Sequence, residues 1–272
     1  MPGASTLLPL IVEPEDFQTL EAPAQLIIAD LCDRESYLKG HLPGAIHIEP
    51  KATTRGGKPP GLLPEQEQLQ SIVDKLGLQA DSHLLIYDNE GGGWAGRFIW
   101  LLDCIGFHNY SYLNGGLTAW QAIAGTLEAG ESEAQQAASY PFSISEAPSV
   151  EHKEIEFLLG APGSIDIWDA RSPEEFRAEK VLTERGGHIP GAINGNWLDF
   201  MDRDKHLKIR TDARDYLKAL GIDGSRPIVT HCQTHHRSGL TYLIAKALDY
   251  DVRAYPGSWS EWGNLSDTEI SS

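Results

Sequence analysis

Short apolar runs alternate along the chain with longer stretches in which apolar residues recur every three or four positions. Residues 25–30, 83–88 and 110–113 in the first half, and 164–169, 227–231 and 252–255 in the second, are short runs rich in Ile, Leu, Val and Tyr. Runs of this kind predict short buried strands. Between them, 65–76 carries Leu69, Ile72, Val73 and Leu76 at helical spacing, and Leu240, Leu243, Ile244, Ala247 and Leu248 mark a second core-facing stripe. Strand alternating with helix predicts parallel sheets covered by helices, an α/β fold. The apolar run at 7–12 is too short for a signal or a span, and no basic residue precedes it, so it reads as a first strand.

The pattern occurs twice. Asp30 opens Asp-Leu-Cys-Asp-Arg-Glu-Ser-Tyr and is followed by His41-Leu42-Pro43-Gly44-Ala45-Ile46; Asp169 opens Asp-Ala-Arg-Ser-Pro-Glu-Glu-Phe and is followed by His188-Ile189-Pro190-Gly191-Ala192-Ile193. The second copy is longer between these motifs, with an insertion near 180–187. Farther on, Leu84-Leu85-Ile86-Tyr87-Asp88 parallels Ile228-Val229-Thr230-His231-Cys232, and Gly115-Gly116-Leu117 parallels Gly257-Ser258-Trp259. A unit of this size occurring twice is a tandem duplication, not a solenoid of short repeats. The expected organisation is two similar lobes, 1–143 and 144–272, with a linker in the weakly patterned stretch 125–149. A chain of 272 residues suits two domains of about 100–150 residues each.

Charge narrows the partners. The formal net charge of −17 speaks against nucleic acid or an anionic membrane as a general partner, since both need a basic footprint. Three cysteines, Cys32, Cys104 and Cys232, are too few for a disulfide framework and point to a reducing compartment, the cytoplasm. Cys32 and Cys104 sit in apolar surroundings and read as packing residues.

Cys232 sits differently. The strand at 227–231 runs directly into Cys232-Gln233-Thr234-His235-His236-Arg237, and a helix is expected from Ser238-Gly239. Open parallel sheets bind ligands at the carboxyl ends of their strands. The loop amides and the helix N-terminus form an anion cradle there. A cysteine at its base should be a low-pKa thiolate and a nucleophile. Arg237 offers a planar fork for an oxyanion, and His235 and His236 are expected to add positive charge. Ser238 is expected to cap the helix. His231, Cys232, His235 and His236 are zinc-ligand types, but their crowding lacks the separated pairs of a structural zinc site, so no metal or cofactor is expected.

Two further segments carry a resemblance. Tyr37-x-x-x-His41-Leu42-Pro43-Gly44-Ala45 resembles the N-terminal rhodanese signature, and Val252-Arg253-Ala254-Tyr255-Pro256-Gly257-Ser258-Trp259-Ser260-Glu261-Trp262 resembles the C-terminal one. The resemblance covers nearly the whole chain. It implies two rhodanese-like domains and a sulfurtransferase in which Cys232 takes the outer sulfur of thiosulfate as a persulfide and passes it to cyanide or another thiophile. The loop from Cys232 to Arg237 resembles that of some bacterial thiosulfate:cyanide sulfurtransferases, although Gln233-Thr234-His235 fits neither the Gly-Ser-Gly of mercaptopyruvate-type members nor the basic loop of many thiosulfate-type ones. The loop residues Gln233, Thr234, His235, His236, Arg237 and Ser238 are the implied substrate contacts. Trp197, at a strand end, is either pocket lining or a core aromatic.

Many tandem members place a basic residue where this chain has Glu175, so Arg171 reads as a structural partner of a nearby carboxylate. In the first copy, Asp88 lies opposite Cys232 if one gap is allowed, and Asn89 if not; neither forms a persulfide, so the first lobe is expected to be structural. Two other readings compete. A phosphatase or arsenate reductase of related fold resembles His-Cys-x5-Arg, one residue longer than the loop here. A relay module would accept sulfur from a protein donor such as a cysteine desulfurase.

Overall fold

The computed structural model describes residues 8–132, 140–161 and 163–272. The first lobe is one parallel sheet of β1 (Ile11–Val12), β2 (Leu26–Asp30), β3 (Ile46–His47), β4 (His83–Tyr87) and β5 (Tyr110–Leu113), in the order β1-β5-β4-β2-β3. Its helices are α1 (Pro14–Phe17), α2 (Arg34–Lys39), α3 (Gln66–Leu76), α4 (Gly93–Cys104) and α5 (Gly116–Ala122). The second lobe has β6 (Asp166–Asp169), β7 (Ile193–Asn194), an antiparallel pair β8 (Met201–Asp202) and β9 (Lys208–Ile209), β10 (Ile228–His231) and β11 (Val252–Ala254). Its parallel sheet runs β11-β10-β6-β7, repeating β5-β4-β2-β3 of the first lobe. Helices α6 (His152–Leu159), α7 (Pro173–Phe176), α8 (Ala213–Leu220), α9 (Arg237–Ala247) and α10 (Ser258–Trp262) flank it.

The six strands predicted at 25–30, 83–88, 110–113, 164–169, 227–231 and 252–255 form, with ends shifted by at most two residues. The run at 7–12 contributes only Ile11–Val12 to the sheet, and Leu7 lies outside the described residues. Helix α3 behaves as its pattern requires: Leu69, Ile72, Val73 and Leu76 are buried, and Gly77 ends the helix in the left-handed conformation that costs glycine little. Within 125–149, the backbone of Glu128 exchanges hydrogen bonds with His41, and Tyr140 packs against Phe107; 133–139 lie outside the described residues. The insertion near 180–187 anchors the C-terminus: Arg185 donates to the carbonyls of Thr268 (2.9 Å) and Trp262 (3.0 Å).

The second helical stripe is only partly right. Leu240, Leu243 and Ile244 are buried, but Ala247 is exposed, while Tyr242 and Ala245 are buried as well. The reason is that α9 is covered from two sides, by its own sheet and by α4 of the other lobe. Helix α4 is likewise buried all round, from Ala95 to Cys104. Their crossing is a backbone contact. A Cβ on Gly96 would stand 2.1 Å from the Gly239 carbonyl oxygen, and one on Gly239 would stand 2.2 Å from that of Gly93. Both helices begin at this crossing, so the start of each strand-loop-helix unit faces the other lobe.

Candidate active site

Strand β10 delivers His231 into a fully buried position, and Cys232 follows with no exposed surface. The chain then turns through His235, whose φ of 55° is left-handed, and enters α9 at Arg237. The Cys232 amide donates to Ser258 Oγ (3.4 Å), and its carbonyl accepts from Trp259 N–H (2.9 Å), so α10 holds the loop from the sheet side. On the other side the first lobe closes in. A Cβ on Gly61 would lie 2.4 Å from the carbonyl oxygens of both Thr234 and Pro256. Beside Thr234 a cavity of 460 Å³ opens, lined by Lys51, Thr54, Arg55, Gly56 and Trp94 among others.

Burial opposes a charge on Cys232. The Arg237 guanidinium, the Ser238 hydroxyl and the N–H groups of Ser238 and Thr234 outweigh it and hold the thiol below its ordinary pKa. The other two cysteines are the reverse case: burial pushes the Cys32 thiol up, and the Cys104 thiol up to about 12. Of the three cysteines, only Cys232 has its pKa held down.

Three expectations need correction. Ser238 does not cap α9. The helix starts one residue earlier, after His236, and Ser238 lies inside its first turn, with Oγ 2.8 Å from His235 Nδ1 and turned toward the sulfur. His235 adds no positive charge: its complete burial drives its pKa well below the usual histidine value, with Arg97 and His236 adding to the effect. Arg237 is not a free cation. It makes a two-pronged pair with Glu175 (2.6 and 2.9 Å), the residue standing where many relatives place a base. Glu175 enters from the start of α7 and is buried.

Arg171 pairs with Asp169 at the end of β6, and both are buried. His236 stacks on Trp94 of the first lobe (4.2 Å between centroids), and its Nε2 lies 2.9 Å from Glu90. Trp197 meets His236 at its edge (5.6 Å) while packing on the second lobe's core. Gln233 Oε1, His231 Nε2 and His235 Nε2 are buried without a hydrogen-bond partner among the described residues. Gln233 and His235 lie in the loop, and His231 ends β10 with its Nε2 3.6 Å from Asp169.

The first lobe holds the same loop in a different state. Asp30 pairs with Tyr87 across the sheet as Asp169 pairs with His231, which puts Asp88 opposite Cys232. The Asp88 carboxylate accepts from the N–H groups of Glu90 (3.0 Å), Gly92 (2.9 Å) and Ala95 (3.0 Å). The cradle forms around a permanent side-chain acceptor and carries no nucleophile.

A family model described as "Rhodanese-like domain" matches the chain twice, over residues 13–123 and 152–265. The chain belongs to the rhodanese family. It is 51% identical over 267 residues to a thiosulfate sulfurtransferase of Azotobacter vinelandii, covering 97% of each chain, and 47% identical to one of Pseudomonas aeruginosa, again covering 97% of each. A 3-mercaptopyruvate sulfurtransferase of Escherichia coli is 31% identical, over 87% of this chain and 85% of that one. Among solved structures, an anaerobic ergothioneine biosynthesis enzyme from Chlorobium limicola superposes with a TM-score of 0.83 at 20% identity, over 97% of this chain and 70% of that one. That likeness extends to the fold alone. One matched segment falls in each of the two lobes described above, so this is a tandem rhodanese.

Glu175, Ser258 and Arg97 are the site residues that reading the sequence did not assign. Glu175 was noticed as a departure but not as the partner of Arg237, 62 residues away. Ser258 lay inside a recognised motif. For Arg97 the sequence carries one signal, a single cation in a largely apolar helix.

Proposed function

We propose that this rhodanese moves the outer sulfur of thiosulfate to cyanide or another thiophilic acceptor through a persulfide on Cys232. The observation that carries the proposal is a buried thiol at a strand end whose pKa is held down by Arg237, the Ser238 hydroxyl and loop amides. The Cys232 thiolate attacks the outer sulfur, the S–S bond of thiosulfate breaks, and sulfite leaves with the electron pair. The acceptor then attacks the terminal persulfide sulfur, taking it as thiocyanate when the acceptor is cyanide, and the Cys232 thiolate is restored. In this reading Gln233, Thr234, His235, His236, Arg237 and Ser238 contact the transferred group or its donor, and Trp197 forms a wall. The loop is of the bacterial Cys-Gln-Thr-His-His-Arg kind. The Glu175–Arg237 pair supports a donor held mainly by amides and hydroxyls.

A protein donor such as a cysteine desulfurase could load the same sulfur. Three unpaired cysteines suit the cytoplasm. Neither nucleic acid nor a membrane is proposed as a partner. The net charge is −17, and no helix among the described residues is long and apolar enough to cross a bilayer. The test is thiocyanate formation from thiosulfate and cyanide, run beside 3-mercaptopyruvate. The proposal expects turnover with thiosulfate and none in Cys232→Ala. Appreciable transfer by that variant would overturn it.

A further inference from the structure

We propose that Arg97, a residue of the first lobe, is a positioning residue of the sulfur site, holding the Cys232 loop by its backbone and setting an uncompensated positive charge behind it. The inference rests on the reading of Cys232 as the sulfur carrier. Arg97 has no exposed surface. Its Nη1 donates to the His235 carbonyl (3.2 Å), its Nη2 to the carbonyls of Thr53 (2.7 Å) and Leu62 (3.3 Å), and its Nε to Thr53 as well (3.1 Å). Its guanidinium carbon lies 5.1 Å from the Trp100 ring centroid, and Trp100 meets His235 edge-on at 4.6 Å.

All of these partners are neutral. The other two arginines around Cys232 are each neutralised, Arg237 by Glu175 and Arg171 by Asp169. Arg97 forms no ion pair with a carboxylate among the described residues. Burial lowers its proton affinity, and the groups that restore it are Cys232 and Cys104. Burial keeps Cys104 a neutral thiol, so the anion that answers Arg97 is the sulfur of Cys232. A guanidinium stays cationic in proteins even when buried. A buried charge without a counter-ion is costly unless the site supplies one. Tying Thr53 and Leu62 to α4 needs donors but no charge. A charge is explained by an anion held and released on the other side of His235.

The close crossing of Gly96 and Gly239 makes this reach possible, since a Cβ on Gly239 would fall 2.4 Å from the Arg97 amide nitrogen. It also gives the first lobe a part in positioning the Cys232 loop.

The titration of Cys232 reads the charge. The groups around it are His231 on β10, Asp169 and Arg171 at the end of β6, Glu175 on α7, His235 and His236 in the loop, Arg237 on α9, Glu90 across from His236, and Arg97 on α4. Arg97→Gln and Arg97→Lys are compared with the unmodified protein. The readouts are the pH dependence of Cys232 alkylation by iodoacetamide, kcat/KM for thiosulfate, and thermal unfolding. We expect the Gln variant to raise the thiol pKa, by less than loss of Arg237 does because Arg237 is the largest favourable influence on the thiolate, and to lower kcat/KM for thiosulfate by roughly threefold to tenfold. The Lys variant should recover most of the pKa. A folded Gln variant with the original thiol pKa and kcat/KM overturns the proposal.

Should the Gln variant fail to fold, the unmodified protein decides. The Arg97 Nε–H resonance should move when Cys232 is alkylated and its charge removed, and an unmoved resonance counts against the proposal. Failure of the Cys232 reading is distinct, because the unmodified protein would then form no persulfide at all.

Discussion

Removing Arg237 alone would leave Glu175 buried without its two guanidinium donors. Arg237→Ala is therefore expected to do two things. It should raise the Cys232 pKa and lower kcat/KM for thiosulfate by roughly tenfold or more, because the largest favourable influence on the thiolate is gone. It should also cost about 2 kcal/mol of stability, the penalty for stranding a buried polar group. Glu175→Gln in the Arg237→Ala background should recover the stability and not the activity, which urea unfolding and steady-state rates on the unmodified protein, the two single variants and the double variant would show. If the double variant regains activity, Arg237 acts only as a partner for Glu175. The sign of the pH effect follows from the same pair. Burial opposes the Glu175 charge, but Arg237 overcomes it and holds the pKa below the usual carboxylate range. The pair's contribution to stability is thus complete above the unfolded carboxylate value of about 4.3 and is lost as pH falls through the lower folded one. At the other two thiols nothing comparable exists, so Cys32→Ala and Cys104→Ala should keep sulfur transfer.

At the scale of elements, the α4–α9 crossing is the feature to test. Gly96→Ala or Gly239→Ala would place a methyl carbon 2.1–2.2 Å from a carbonyl oxygen of the facing helix. The helices must separate, so a loss of more than about 2 kcal/mol is expected, together with loss of activity, since both loops hang from this crossing. Normal thermal unfolding in either variant would mean that the lobes are not held there. This crossing was not legible in the sequence. Periodicity tells which residues are apolar, not that two helices are each covered from both sides, and so Ala247 was expected inside and Tyr242 was not. The strands were legible because short buried parallel strands are nearly continuous apolar runs, and the duplication was legible from repeated motifs. The Ser238 cap failed for a local reason: the left-handed turn at His235 lets the helix begin at Arg237, freeing the serine hydroxyl to face the sulfur. Cys232 stands out in the sequence because its strand-loop-helix setting is a local pattern. Arg97 and Glu175, the carboxylate that pairs with Arg237, were not legible, because both arrive from distant elements.

The whole molecule should weaken in mild acid before its carboxylates titrate. Burial keeps His231 and His235 neutral when folded, with pKa values below the ordinary one. Their unfolded counterparts take up protons as pH falls through about 6.5, and the folded ones do not. The unfolding free energy should therefore fall with pH in this window, by up to about 1.4 kcal/mol per pH unit for each histidine. Urea unfolding between about pH 7.5 and 5.5 measures it, and a flat profile would mean that both rings can charge in place. Sulfur loading itself is also a property of the intact chain. The most direct test is the mass of the whole protein after exposure to thiosulfate and removal of excess reagent, followed by peptide mapping and then by addition of cyanide. The account predicts a gain of one sulfur atom, mapped to Cys232 and lost again when cyanide is added. A gain mapped to Cys32 or Cys104, or no gain in a protein that still forms thiocyanate, would contradict it.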